Sequence, residues 1–585
     1  MINMDRRQQF LPLVLVLLLP VLCFQPCYGS SVTRRFRFNL EWKKVNRLCT
    51  TKRLLTVNGQ FPGPTITVNE GDDVEIKVTN RVAKNTTIHW HGIKQKRTGW
   101  ADGPAYVTQC PIGRGQSYTY KFTVAEQRGT LLWHAHYSWQ RASVYGAFII
   151  NPRLPYPFIA PNRPIHAEIP IIFGELWDKE VDDFEATMLA TGAGAAISVA
   201  YTINGFPGPL YPCSAKDTYT ATVEYGKTYM LRVINAALGD ELFFSIAKHT
   251  LTVVEVDAVY TKPFTTTAIM IAPGQTTTLL LTADQLPADP TATFVMAATP
   301  YVTSIFPFDN STTMGYLKYN TTGTSGKDRT RDLSVKLPEN LPKMEDTKFA
   351  TTFTNKIKSL ASSQYPCNVP KTIDRRVITT ISLNLQDCPQ NKTCTGYDGK
   401  MFMASMNNQS FLRPSTSILE THYRTGLGTG SSGFPERPLS KFDYTGGNAS
   451  TMNTNMEFGS RVIVVPYGTK IEIVLQGTNL LAPENHPIHI HGHNFYVVGT
   501  GFGNFDESRD PKGYNLVDPP ERNTVGVPMG GWAAIRIEAD NPGVWFVHCH
   551  FEPHTSWGLA TGFVVQDGPL PSQRLLPPPK DLPAC

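Results

Sequence analysis

The stretch VNGQFPGPTITVNEGDDVEIKVTN, Val57 to Asn80, decides the fold. Ile66 and Val68, then Val74, Ile76 and Val78, alternate with polar residues, and a period of two belongs to a strand with one buried face. Glu70-Gly71-Asp72 between the two runs reads as a turn. The unit returns as INGFPGPLYP and TVEYGKTYMLRVIN between Ile203 and Asn235, and more faintly as VVPYGTKIEIVLQGTN, Val464 to Asn479. One strand-turn-strand unit met three times predicts an all-β chain of three related β-sandwich domains rather than one unbroken core.

The three units lead into different strands. The first runs on to NTTIHWHG and GTLLWHAHYSW, the third to NHPIHIHGH and GVWFVHCHFEPHTSW, while the second has LFFSIAKHTLTVVEVD and TATFVMAATPY in the comparable places. The middle domain therefore keeps the strands without the histidine pairs, and reads as a spacer that holds the outer two apart. We place the domains at 30–155, 156–340 and 341–585. The segment from about Gly323 to Ser363, rich in Lys, Thr, Ser and Pro, reads as the link into the third.

Residues 1–29 read as a removed signal peptide. Arg6 and Arg7 precede an apolar run from Phe10 to about Phe24, too short to span a bilayer, and Cys27-Tyr28-Gly29 has the small-residue spacing of a cleavage site. No later stretch reaches transmembrane length, so a secreted protein of the extracellular space or apoplast is expected, without a membrane partner. Charged residues make up 17% of the chain, below the roughly 25% of ordinary soluble proteins. Glycans could supply the missing polarity, at Asn-x-Ser/Thr sites on Asn85, Asn310, Asn320, Asn391, Asn408 and Asn448. A formal charge of +6 without a basic tract gives no nucleic-acid footprint.

Ten of the fourteen histidines fall in four short motifs: His89 and His91; His134 and His136; His486, His489 and His491; His548, His550 and His554. On a strand, residues two apart share a face, so each His-x-His pair aims two imidazoles at one place. Four pairs supply eight. Cys549, between His548 and His550, must face the other way and serve a different site, with His486 and His554 left over as its partners. Two imidazoles and a thiolate make a blue-copper electron-transfer site, and imidazoles without carboxylates suit copper in both oxidation states. A closed zinc site would need paired cysteines or a Cys2His2 spacing that the sequence lacks. His166, His249, His422 and His493 lack such company and read as structural. Of the cysteines beyond residue 29, Cys388 and Cys394 flank a short turn and could bridge locally, while the sequence leaves the other partners open.

HWHGIKQKRTGWADGPAYVTQCPI, HAHYSW, HPIHIHGHNFYVVGTGFGNFD, NLVDPPERNTVGVPMGGWAAIRIEADNPGVWF and HCHFEPHTSWGL resemble the multicopper oxidases, and specifically the plant laccases, over essentially the whole mature length. The resemblance implies three cupredoxin-like Greek-key β-sandwich domains and four copper ions. Type 1 copper would be held by His486, Cys549 and His554, with Leu559 in the axial position. Type 2 copper would take His89 and His489. The type 3 pair would take His91, His134, His136, His491, His548 and His550. Asp102 and Glu552 would be proton-relay carboxylates. Bridges Cys49–Cys213, Cys110–Cys585 and Cys388–Cys394 are also implied, which leaves Cys367 as the odd cysteine.

The activity implied is one-electron oxidation of phenols, such as lignin precursors or flavonoids, coupled to reduction of dioxygen to water, in a protein expected to be monomeric. An ascorbate oxidase is the nearest rival, and Leu559 in place of an axial methionine speaks against it. A ferroxidase would need acidic residues beside the type 1 histidines; Glu484, beside Pro483, reads as plain loop surface. A non-catalytic wall protein of the same fold would have no need of the intact ligand set. His493 in HGHNF, Pro553 before a ligand and Ala560-Thr561 after Leu559 depart from the usual plant pattern, and Pro553 and Trp557 lie where substrate is expected to approach.

Overall fold

The computed structural model describes residues 32–160, 163–211, 213–285, 293–320, 336–426, 433–446, 456–481 and 483–585. The expected signal peptide and the Asn448 site lie outside the described residues. In the first sandwich, strands Thr50–Val57, Thr33–Arg47, Asp73–Asn80 and Ser117–Thr123 form one sheet in that order. Ile66–Asn69, Tyr145–Asn151, Gly129–Ala135 and Ile88–His91 form the other. The alternation of the Val57 to Asn80 stretch becomes the pleat: Val74, Ile76 and Val78 are buried, while Asp73, Glu75 and Lys77 point outward. The second unit is a six-stranded and a five-stranded sheet, the third an eight-stranded and a five-stranded one. The first and second sandwiches each close on an apolar core, and the core of the third also takes in Trp139 and Ala142 of the first and Trp177, Met188 and Leu238 of the second.

Two expectations need correcting. Within the stretch read as a link, Thr347–Lys356 is an α-helix capped by Asp346, whose side chain accepts a bond from the Phe349 N–H. The helix packs Phe353 and Ile357 into the core of the second sandwich, so this part of the link belongs to the second unit. The amphipathic spacing of Ala350 and Phe353, hidden in a polar segment, gave the helix its buried face.

Nor does the middle unit hold the outer two apart. The first and third sandwiches touch directly: Trp100 Nε1 donates to Leu576 O at 2.8 Å and Asn541 Nδ2 to Lys94 O at 2.6 Å. The middle sandwich braces that contact from the side. Thr276 Oγ1 donates to Thr130 O at 2.6 Å, Gln275 Nε2 to Thr524 O at 3.0 Å, and Asp257 pairs with Arg522 at 3.0 Å. Disulfides Cys49–Cys213 and Cys110–Cys585 tie the first unit to the second and the third, and Cys388–Cys394 closes a local turn. Cys367 is unpaired and half-buried, and burial pushes its thiol pKa up.

Candidate functional site

The histidine pairs come together because each outer sandwich places two of them on neighbouring strands. Ile88–His91 runs antiparallel to Gly129–Ala135 with His89 opposite His134. His486–Ile490 runs antiparallel to Gly543–Cys549 with His489 opposite His548. The two edges face each other across the interface between the first and third sandwiches. His91, His134 and His550 converge, as do His136, His491 and His548, and His89, His91 and His489, with one ring nitrogen from each within 4.8 Å of the others in its group.

The ring nitrogens divide into bound and free. Nδ1 donates to Asp102 O from His89 (2.7 Å), to Asn523 O from His489 (2.7 Å), to Ala135 O from His134 (2.9 Å) and to Cys549 O from His548 (2.8 Å). His91 is turned over, its Nε2 being held by Asn523 Oδ1 and Thr524 Oγ1, both at 3.1 Å. The opposite nitrogens, Nε2 of His89, His134 and His489 and Nδ1 of His91, are buried with no partner at all, as is Nε2 of His136. Buried polar atoms are normally satisfied. In His89, His91, His134 and His489 the orphaned nitrogen is oriented by a bond on the far side of its ring, which is what metal ligation requires, while both ring nitrogens of His550 are without a partner. Burial, with neighbouring imidazoles adding to it, pushes the pKa of His91, His134, His489 and His491 well below the usual value and that of His548 down to about 3. The rings are therefore neutral ligands at ordinary pH.

A second group lies on the far side of Cys549. Its Sγ is 3.5 Å from His554 Nδ1 and 3.9 Å from His486 Nδ1, and all three residues are buried. Leu559 is fully buried and its backbone brackets the group, its O accepting from Cys549 N at 3.1 Å and its N donating to His554 O at 2.9 Å. A leucine side chain cannot ligate, so the group offers three donors and no thioether. Burial pushes the Cys549 thiol pKa well up, so the thiol keeps its proton until a metal displaces it.

The two carboxylates named from the sequence differ in surroundings. Asp102 is fully buried, its Oδ2 accepting from His491 Nδ1 at 2.9 Å, and burial raises its pKa against the opposing pull of His89. Glu552 is half-buried, at the start of the short helix Glu552–Ser556, and Arg141 donates to its Oε2 from Nε at 3.1 Å. Burial raises its pKa too, while Arg141 pulls the other way. Arg141 is itself buried and also donates to His550 O at 2.9 Å and to Ala237 O at 2.5 Å.

Sequence reasoning passed over several residues of the site. Arg141 carries no motif. Gly274, from the middle sandwich, has φ +84°, and a Cβ there would lie 2.9 Å from His550 Cδ2 and 2.9 Å from His91 Cε1. Its one legible signal was the Pro-Gly turn in IAPGQ. Glu484 corrects a stated expectation: it is buried rather than on a loop surface, and its Oε1 lies 3.1 Å from His554 Nε2. The four unpaired histidines stay away from both groups as ligands. His249 bonds Tyr319 and Ala247 O, and His493 is wedged against Trp545 and Phe563.

Beside His554 opens a cavity of about 480 Å³ between the second and third sandwiches. Trp557 stacks on Phe402 and on His554, with centroids at 5.3 and 5.6 Å, and Pro553 and Phe306 complete the apolar wall nearby. Trp557 Nε1 and Glu484 Oε1 are buried there without a hydrogen bond, Glu484 Oε1 lying 3.1 Å from His554 Nε2.

The family models described as multicopper oxidase match residues 39–155, 167–322 and 433–569. Laccase-1 of Arabidopsis thaliana is 66% identical over 568 residues, which is 96% of this chain and 97% of that protein. The chain belongs to the multicopper oxidases, as a plant laccase. Laccase-4 of Oryza sativa subsp. japonica is 53% identical over 98% of each chain. Among solved structures, the laccase from Botrytis aclada superposes with a TM-score of 0.70 at 25% identity, covering 91% of this chain and 88% of that one. The multicopper oxidase Fet3p has a TM-score of 0.69 at 24% identity and covers 91% and 90%. The enzyme is a copper-dependent oxidoreductase with four copper ions, one type 1, one type 2 and a type 3 pair, and its buried, oriented and vacant ring nitrogens fit them. Its partners are small molecules. No helix among the described residues is long and apolar enough to cross a membrane.

Proposed function

We propose that the enzyme is a secreted, monomeric laccase whose substrates are phenols bound in the cleft beside His554, with His486, Cys549 and His554 as type 1 ligands. His89 and His489 would hold type 2 copper, and His91, His134, His136, His491, His548 and His550 the type 3 pair. Copper, when bound, supplies one-electron transfer at the thiolate group and four-electron reduction of dioxygen at the imidazole groups. Four phenols each give up one electron and one proton, and dioxygen takes the four electrons and four protons to form two waters.

The observation that carries this reading is the placement of His554. One edge of its ring approaches Cys549 Sγ, and the other meets a cavity walled by aromatic side chains. Flat apolar walls suit an aromatic ring. Glu484 Oε1 can accept the phenolic O–H and Trp557 Nε1–H can donate to the same oxygen, so the two unpartnered groups complement a hydroxyl. Cys549 is covalently adjacent to His548 and His550 of the imidazole groups, which gives electrons a short bonded route. Asp102, bonded to His491, and Glu552, bonded to Arg141, would serve as the proton donors for dioxygen reduction.

Dioxygen uptake by copper-loaded protein tests the reading. A methoxyphenol should drive uptake without peroxide release, and ascorbate, an anion facing buried carboxyls, should drive little. Cys549→Ser should abolish the blue colour and phenol oxidation together; phenol oxidation surviving in that variant would sink the proposal.

A further inference from the structure

The cleft beside His554 has a composition at odds with the rest of the chain. The protein is net basic, at +6, yet Glu175, Asp240, Glu241, Asp309 and Glu484 line this one cavity and no lysine or arginine does. Among the described residues none of the five is paired with a lysine or arginine. Glu175 Oε2 accepts from Leu238 N at 3.0 Å, Asp309 Oδ2 from Ser198 Oγ at 2.7 Å and Glu241 Oε2 from Asn485 Nδ2 at 2.5 Å, all neutral donors. Glu484 Oε1 lies 3.1 Å from His554 Nε2, with Ser304 and His486 as further neighbours and no lysine or arginine.

Buried carboxyls without a cation are unusual, because a charge taken from water is costly unless it is paired. Here burial, reinforced by the other carboxyls, raises the pKa of Glu175 and Asp240 and takes that of Glu241 to about 7. The partner these groups lack would be a positive charge inside the cavity. A bare metal ion is a poor candidate: among the described residues, no three of these carboxylates converge as the imidazoles do. The walls are aromatic, and Trp557 and Phe402 form a stacked pair at 5.3 Å, which suits a flat organic molecule.

We infer that the cleft selects phenols that carry a positively charged group away from the hydroxyl, phenolic amines, over phenols that carry a carboxylate. This rests on phenol oxidation at His554, as proposed above. The hydroxyl would sit at Glu484 and Trp557, and the ammonium would reach toward Asp240, Glu241 and Asp309. Chemistry at the hydroxyl is unchanged: each amine loses one electron and the phenolic proton and keeps its ammonium. Arg141 pulls the Glu175 pKa down against the larger effect of burial, but it does not line the cavity and its hydrogen bonds go to Glu552 and backbone carbonyls. Tyr201, beside Asp240, is held neutral by burial.

The test compares three substrates of nearly equal size with the copper-loaded enzyme: 4-hydroxy-3-methoxyphenethylamine, the corresponding phenethyl alcohol, and 4-hydroxy-3-methoxyphenylacetate. One or two methylenes insulate the ring from the charge, so binding rather than ring chemistry sets the order. We expect kcat/KM to be about tenfold higher for the amine than for the alcohol and about tenfold lower for the acid, the scale of one charge interaction in a partly wetted cleft. The amine-to-alcohol ratio should grow from about pH 5.5 to about pH 8 as Asp240, Glu241 and Glu175 lose protons, because neither substrate changes charge in that range. It should shrink in high salt and in Asp240→Asn and Glu241→Gln. Oxidation of the alcohol with no preference for the amine over the acid would overturn the inference alone. Failure to oxidise even the alcohol would overturn the phenol reading beneath it.

Discussion

Replacing Gly274 with alanine tests whether the middle sandwich shapes the dioxygen site. Gly274 has φ +84°, a left-handed conformation that costs an L-residue about 1 kcal/mol more than glycine. The added Cβ would lie 2.9 Å from His550 Cδ2, 2.9 Å from His91 Cε1 and 3.0 Å from His550 Cγ. Those atoms belong to buried rings, His91 at the end of its strand and His550 just past the end of Gly543–Cys549, so they yield only by moving the imidazoles, and overpacking of this kind costs about 1–3 kcal/mol. The sum is about 2–4 kcal/mol, against the barely 1 kcal/mol of a glycine-to-alanine change in an open turn with the same φ. Gly226, at φ +78° with nothing within 4 Å of the added Cβ, is the control. Urea unfolding of the copper-free proteins measures the stability difference, and copper content with dioxygen uptake measures the site. We expect Gly274→Ala to bind less than the full complement of copper and to lose most dioxygen uptake, while its sulfur-ligated group still turns blue. Four coppers per chain, normal uptake and a stability within about 0.5 kcal/mol of Gly226→Ala would refute the argument.

Other outcomes follow from the same geometry. Glu552→Gln should slow turnover by about tenfold or more and flatten the alkaline fall in rate, since a carboxyl whose pKa is raised by burial donates protons to higher pH than an ordinary one; anaerobic bleaching of the blue colour by a phenol should keep its rate. Arg141→Met should weaken the docking of the Glu552–Ser556 helix, seen as faster local proteolysis and an apparent stability loss of about 2–4 kcal/mol from stranding Glu552 and two carbonyls. Copper-free protein should lose stability in acid earlier than copper-loaded protein. The buried imidazoles have folded pKa values below the unfolded value, so the unfolded chain binds more protons, and stability present above about pH 6.5 drains away as pH falls, by about 1.4 kcal/mol per pH unit for each such histidine. Thermal melting of the copper-free protein from pH 7.5 to pH 4.5 would show it; a melting temperature that stays level over that range would count against neutral buried imidazoles, and copper-loaded protein melting no higher than copper-free would count against ligation.

How much of this was legible in the sequence depended on the range of the contact. Strand parity alone separated Cys549 from His548 and His550, because the pleat fixes which side each residue takes. Val74, Ile76 and Val78 announced the core of the first sandwich in the same way. Glu484 was misread because its meaning comes from His554, seventy positions on, brought close by two adjacent strands and a short helix. Arg141 and Glu552 are 411 positions apart; Glu552 is marked by its motif, but Arg141 lies in no pattern that a local rule can see. The helix Thr347–Lys356 has the composition of a link because its polar face dominates and only two of its residues are buried. Gly274 had a turn signal but no sign that the turn ended against two imidazoles.

The two metal groups are built to fail differently. His486, Cys549 and His554 come from a single sandwich, His486 being 63 positions before Cys549 and His554 five after it. The imidazole groups are divided between sandwiches whose facing residues, such as His91 and Asn523, are 432 positions apart. Any opening of the contact between the outer sandwiches splits the second site down the middle and spares the first. A molecule loosened in this way would still accept an electron from a phenol but have nowhere to send it, so it would stall in its reduced form and hold no partly reduced oxygen. Damage to the assembly therefore shows first as a loss of colour in the presence of substrate that air does not restore.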